Sequence, residues 1–132
     1  MQDTIAQKVT YSADITVPKE FVVKMSALDT GSETKDDKKV YSFSQDTKIP
    51  SYLLAMVVGD LEYADVGDRV GVITEPNDLD KAKYDLKDAP KFLTELENYL
   101  TPYAWKQFNV VLLPGVMTQE VSGMENPYLT IV

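Results

Sequence analysis

A period-two alternation of apolar and polar residues near the start of the chain is the feature that most restricts its fold. From residue 9 to residue 17, threonine, serine and aspartate separate the apolar residues Val9, Tyr11, Ala13, Ile15 and Val17. Side chains on a β-strand point alternately to two faces, so this pattern predicts a strand with one covered face. Segments 21–27 and 40–45 repeat the pattern and predict two further strands.

The residues around these strands give further expectations. Segment 29–39 is rich in aspartate, lysine, threonine, glycine and serine, which predicts a long, solvated hairpin loop. Segment 52–59 is continuously apolar, which predicts a strand covered on both faces. Short β-forming runs at 70–74, 108–113 and 129–132 predict three more strands.

From Leu79 onward the spacing of apolar residues becomes helical. One short helix is predicted from Leu79, with Asn77 or Asp78 as its cap. A second is predicted to begin at Asp88-Ala89-Pro90, with a capping carboxylate and a proline in the first turn. Its apolar face comprises Phe92, Leu93, Leu96, Tyr99, Leu100 and Tyr103. Tyr99, Tyr103, Trp105 and Phe108 are interpreted as a packed junction between this helix and the next strand.

Charge and composition restrict the partners. The 132 residues carry 13 basic and 21 acidic side chains, a net charge of −8, which disfavours nucleic acid and anionic membranes. The same charge would favour a cationic ligand such as a peptide amino terminus, although solubility alone is an alternative reason for it. No apolar run approaches the ~20 residues of a membrane span. The first residues have neither a basic start nor an apolar stretch, so we expect no signal peptide and a cytoplasmic location.

The absence of histidine and cysteine excludes several kinds of catalytic centre. Without histidine the chain cannot form a Ser-His-Asp triad, and without cysteine it cannot form a thiolate metal site or a disulfide. Zinc would have to be bound by carboxylates alone, which is unusual for that ion. We therefore predict no catalytic residue, no metal ligand and no cofactor in this chain.

The segment Gly123-Met124-Glu125-Asn126 resembles the glycine-x-methionine-glutamate-asparagine signature of the gluzincin zinc aminopeptidases. Other segments are similar to the leukotriene A-four hydrolase and aminopeptidase branch of that family, and they occur in the family's order and near its spacing. These segments are 2–4, 10–13, 17–20, 25–27, 52–59, 102–105 and 112–114. The ordered series is far more specific than one tetrapeptide.

The resemblance implies a mixed, mainly β fold. β-Sandwich strands of the family's saddle domain would be followed by the opening α/β segment of a thermolysin-like catalytic domain. Residues 1–68 would be the C-terminal part of the saddle, and 69–132 the N-terminal part of the catalytic domain. The zinc-binding helix would lie outside this chain, so zinc is expected as the cofactor of the parent enzyme only.

The resemblance also implies a role for the motif in binding substrate. Glu125 would hold the free amino terminus of a peptide, and Gly123 would let the peptide approach its backbone. Asn126 would orient the turn or Glu125, and Met124 is interpreted as core packing.

These implications support a non-catalytic fragment of a metallopeptidase, of aminopeptidase or epoxide-hydrolase type. The alternatives are a β-sandwich interaction module and one half of a split enzyme, with self-association or a complementing chain as the corresponding partners.

Overall fold

The first half of the chain folds around a three-stranded antiparallel sheet. The computed structural model describes residues 4–113 and 123–132. In it β1 (Lys8–Pro18) and β3 (Leu28–Lys35) lie on either side of β4 (Lys38–Pro50). Accessibility alternates at every residue of β1, as the period-two pattern predicts.

A two-stranded antiparallel sheet accompanies these strands. It consists of β2 (Val22–Met25) and β5 (Met56–Gly59), and a 3-10 turn at Ser51–Leu53 precedes β5. The buried core residues are Val23, Met25, Ala27, Tyr41 and Phe43, with Tyr11, Ala13, Ile15, Val17 and Leu54 packed against them.

Two expectations for this half were wrong. The predicted loop at 29–39 is mostly strand β3, which joins β4 through a tight turn at Asp36 and Asp37. Every residue of β3 after Leu28 is exposed, so its polar composition reflects an uncovered strand and not a loop. Segment 52–59 was expected to be covered on both faces, but Met56 and Val58 in β5 are exposed.

The second half contains a mixed sheet of five strands. Its strands are β6 (Glu62–Gly67), β7 (Val70–Thr74), β8 (Phe108–Val111), β9 (Met124–Asn126) and β10 (Leu129–Ile131). Their order in the sheet is β6-β7-β8-β10-β9. β6 pairs with β7 antiparallel, whereas β8 is parallel to both β7 and β10. All five residues of β7 are buried, as suits a central strand.

Two helices connect the parallel strands β7 and β8. They are α1 (Leu79–Asp85) and α2 (Ala89–Tyr99), close to the predicted positions. Asp78 and Asp88 occupy the N-cap positions as predicted, but neither makes a side-chain capping hydrogen bond. Pro90 in the first turn of α2 is consistent with the predicted start of that helix. No helix in the described part of the chain has the length and apolar character needed to cross a membrane.

The structure divides into two compact units. The first unit comprises Met1–Asp60 and Glu125–Leu129, and the second unit comprises Leu61–Met124 and Thr130–Val132. Strand β6 pairs with β7, which is why the second unit begins before residue 69. The assignment of 1–68 and 69–132 to two family domains stays a prediction, whereas the mixed, mainly β fold class is confirmed.

Candidate substrate-binding site

A β-hairpin carries the four predicted site residues. Met124, Glu125 and Asn126 form β9, and Pro127 and Tyr128 make the turn that leads into β10. The proline ring fixes φ at its own position, and Tyr128 takes a φ of 62°. A proline followed by a residue with positive φ is the pattern of a type II turn. The local sequence therefore reverses the chain directly after the motif.

Asn126 fixes the inner side of this hairpin. Its side chain is buried, and Nδ2 donates a long hydrogen bond of 3.4 Å to the carbonyl oxygen of Leu129. Leu129 is also buried, at the start of β10. The expectation that Asn126 orients the turn agrees with this contact across the two turn residues.

Gly123 precedes β9 with a backbone conformation that suits glycine. Its φ is 154°, and a Cβ atom at this position would lie 3.4 Å from the carbonyl oxygen of Ile131 and 3.7 Å from Cγ1 of Val132. Both neighbours belong to the end of the chain, where the Val132 N–H donates to the carbonyl oxygen of Val111. The missing Cβ therefore faces Ile131 and Val132, and the positive φ is what favours glycine at this point.

Glu125 presents a carboxylate on the exposed side of β9. Accessibility along the strand runs from half-buried Met124 through exposed Glu125 to buried Asn126. Because side chains alternate along a strand, Glu125 points away from the face that Asn126 occupies. Within residues 4–113 and 123–132, the Glu125 carboxylate has no hydrogen-bond or ion-pair partner. It is thus available to accept a charge-assisted hydrogen bond from a cationic ligand.

The sheet order leaves β9 at an edge. Among the described strands, β9 is terminal and has β10 as its single neighbour. In general, an extended peptide can add to the edge of a sheet as a further strand. The sequence pattern did not predict that the motif itself is a strand. Residues 114–122, which precede the motif, lie outside the described residues.

The donor set of this chain does not fit zinc. The sequence has no histidine and no cysteine, and the described residues contain no group of three or more acidic side chains that could bind a metal ion. Four exposed aspartates, at positions 36, 37, 78 and 80, are solvated residues in a turn and at helix starts.

Comparison with known proteins gave matches along almost the whole chain. Leukotriene A-4 hydrolase from Xenopus laevis is 42% identical over 134 residues, which cover 99% of this chain and 22% of the relative. Leucine aminopeptidase 2 from Neurospora crassa is 42% identical over 132 residues, covering 98% of this chain and 19% of the relative. No family model matches the chain.

The fold agrees with the sequence comparison. The solved structure of native yeast leukotriene A-4 hydrolase superposes with a TM-score of 0.84 at 28% identity, over 98% of this chain and 20% of that one. The chain therefore spans about a fifth of the length of the relatives it matches. Over the part that it covers, this chain belongs to the family of zinc aminopeptidases that includes leukotriene A-4 hydrolase and leucine aminopeptidase 2.

Proposed function

We propose that this chain supplies the part of a zinc aminopeptidase that recognises the free amino terminus of a peptide substrate. The observation that carries this proposal is the exposed Glu125 carboxylate on edge strand β9, which has no partner among the described residues. An aminopeptidase must distinguish a charged α-ammonium group from an amide in the middle of a chain. A carboxylate at the end of a peptide-binding edge makes that distinction by charge.

The backbone around the carboxylate would align the peptide. The positive φ of Gly123, which favours glycine, would set the direction in which the backbone enters β9. Pairing along the edge would place the first peptide residue beside Glu125 and fix its direction. The buried Asn126 side chain would keep the hairpin in one geometry while the peptide binds.

The 132-residue chain by itself would bind without hydrolysis. The zinc of the family supplies the Lewis acid and activated water for peptide cleavage. This chain has no histidine to bind that ion. Purified chain should therefore release no aniline from an aminoacyl-anilide, and turnover that a chelator abolishes would contradict this part of the proposal.

Recognition of the amino terminus is tested by nuclear magnetic resonance titration of the chain with trialanine and with N-acetyl-trialanine. Trialanine should shift the amide signals of residues 123–126, and the acetylated peptide should bind about 10- to 150-fold more weakly, since a hydrogen bond to a charged group contributes about 1.5–3 kcal/mol. Glu125→Gln should remove the difference between the peptides. Glu95→Gln, at an exposed glutamate of α2, is the matched control. Equal binding of both peptides by the unaltered chain would overturn the proposal.

A further inference from the structure

Strand β3 forms an outer edge of the three-stranded sheet. Among the described strands its single neighbour is β4. The seven residues of β3 after Leu28 are all exposed, so the described part of the chain does not cover this strand. An exposed edge strand can pair with the same strand of a second molecule, which makes such an edge prone to self-association.

The pairing of β3 with β4 is interrupted near the start of β3. Two consecutive residues of β4 lie opposite Asp29 and Gly31, which leaves Thr30 as an extra residue with no partner in that strand. Such a β-bulge bends the strand that carries it and increases the local twist. After the bulge the pairing continues without a further break. The bulge therefore divides β3 into two stretches that do not form one straight edge.

The bulge arises in β3 and is not imposed by β4. On the other side of β4, Ser42, Phe43 and Ser44 pair with consecutive residues of β1 in unbroken register. A kink in β4 would disturb the pairing on both of its sides. Because only the pairing with β3 is irregular at this point, the bulge depends on the residues of β3.

Local contacts stabilise the bulge. Gly31 has a φ of 139°, which other residues rarely adopt, and its backbone N–H donates to Oδ1 of Asp29 at 3.0 Å. The second carboxylate oxygen of Asp29, Oδ2, accepts a hydrogen bond from Nζ of Lys24 at 3.0 Å. Lys24 belongs to β2 in the two-stranded sheet of the first unit. Asp29 thus pairs with a backbone donor within the bulge and also joins the bulge to a second sheet.

Charge by itself would not keep two copies of β3 apart. Asp29 is paired with Lys24, and the one acidic residue later in the strand, Glu33, is balanced by Lys35. The net charge of −8 belongs to the chain as a whole and is not concentrated at this edge. The shape of the edge is therefore the feature of β3 that opposes pairing with another strand.

We infer that the bulge at 29–31 prevents β3 from pairing with β3 of a second copy of the chain. The bend and the extra residue remove the straight run of backbone groups that a partner strand needs. This inference is independent of the proposed function, because it involves neither β9 nor Glu125.

The test removes the bulge by deletion of Thr30, the residue with no partner in β4. Its neighbours Asp29 and Gly31 would then be consecutive and could keep their present partners. Sedimentation velocity should show self-association at least tenfold tighter than that of the unaltered chain. Amide exchange within residues 31–35 should become slower in the associated form. Thr30→Ala keeps the extra residue and is the matched control.

Asp29→Ala is a second variant that keeps the length of the chain. It removes the acceptor of the Gly31 N–H, so self-association should tighten, although by less than in the deletion variant. Asp37→Ala removes the same charge from the turn after β3 and should leave self-association unchanged. Slow exchange of the buried Val23 and Phe43 amides shows that each variant has folded.

Two results would overturn the inference. One is a folded deletion variant that associates no more tightly than the unaltered chain. The other is tighter association without slower exchange in β3, which would assign the contact to a different edge. If the deletion variant does not fold, Asp29→Ala decides: tighter association through β3 supports the inference, and unchanged association overturns it.

Discussion

Arg69 and Glu97 form a bidentate ion pair that joins the turn before β7 to helix α2. Each terminal guanidinium nitrogen of Arg69 donates to one carboxylate oxygen of Glu97, and the backbone N–H of Tyr103 donates to Oε1 at 2.7 Å. One carboxylate thus holds three segments of the second unit. The Arg69 guanidinium, followed by the Tyr103 N–H, lowers the pKa of Glu97 from 4.5 to about 2.

Replacing this carboxylate should change how the stability of the second unit depends on pH. Because the folded-state pKa of Glu97 is lowered, its contribution is complete above pH 4.5 and is lost as pH falls toward about 2. Glu97→Gln should therefore lower the free energy of unfolding at neutral pH, and the difference from the unaltered chain should shrink across that acidic range. Urea unfolding followed by fluorescence of Trp105, the single tryptophan, measures both values. Glu95→Gln, which removes a glutamate of α2 and leaves the ion pair intact, is the matched control, and a difference that is constant with pH would contradict the prediction.

Gly71 in β7 is expected to tolerate no side chain. A Cβ atom there would lie 2.6 Å from Oη of Tyr63 and 2.7 Å from Oδ1 of Asn109. Gly71→Ala should therefore destabilise the second unit by about 1–3 kcal/mol, as measured by urea unfolding. In a Tyr63→Ala background the same change should be less destabilising, because one of the two obstructing side chains is gone. Equal effects in both backgrounds would mean that Tyr63 is not the obstacle.

Ser26 is expected to be essential to the first unit despite its small size. Its buried Oγ accepts the backbone N–H of Ala55 at 2.8 Å and is hydrogen-bonded to the hydroxyl of Tyr11 at 2.9 Å. Ser26→Ala would remove the partner of both groups and should destabilise the unit by about 1–3 kcal/mol. Hydrogen exchange of the buried Val23 and Phe43 amides measures this effect. Tyr11→Phe, which removes only one of the two contacts, should have a smaller effect, and the reverse order would contradict the prediction.

A side chain at Gly123 should disturb the start of β9. The φ of 154° is rarely adopted by other residues, so Gly123→Ala should introduce strain of about 1–3 kcal/mol. We expect faster amide exchange at Met124, Glu125 and Asn126 together with weaker binding of trialanine. Unchanged exchange at these residues would show that the backbone relaxes without loss and that glycine is not required there.

The sequence predicted the strands and helices that have one covered face, because covering one face produces a periodic pattern of apolar residues. The alternation from Val9 to Val17 became β1, and the proline at position 90 marked the start of α2. Strand β3 was mistaken for a loop because an exposed antiparallel strand needs no apolar residues. Strand β6 was missed for a related reason, since four of its six residues are exposed.

The candidate site was predictable in its residues but not in its geometry. Glu125 and its neighbours were found through the resemblance of four consecutive residues to a known signature. Strand β9 lies at a sheet edge because it pairs with β10, which in turn lies parallel to β8. Pairing between strands that are far apart in the sequence cannot be predicted from the local residue pattern. The exposure of α2, including that of Tyr99, was likewise not predicted, because the helical spacing gives the apolar face without showing how much of it is covered.

The strand geometry of the hairpin restricts how its length can vary. Glu125 and Asn126 lie on opposite faces because they are adjacent, and the buried asparagine sets which face is inward. One residue inserted between them would turn the carboxylate inward, whereas two would return it to the outer side. Even-numbered insertions and deletions are thus the ones that keep the carboxylate accessible, and odd-numbered ones would bury it.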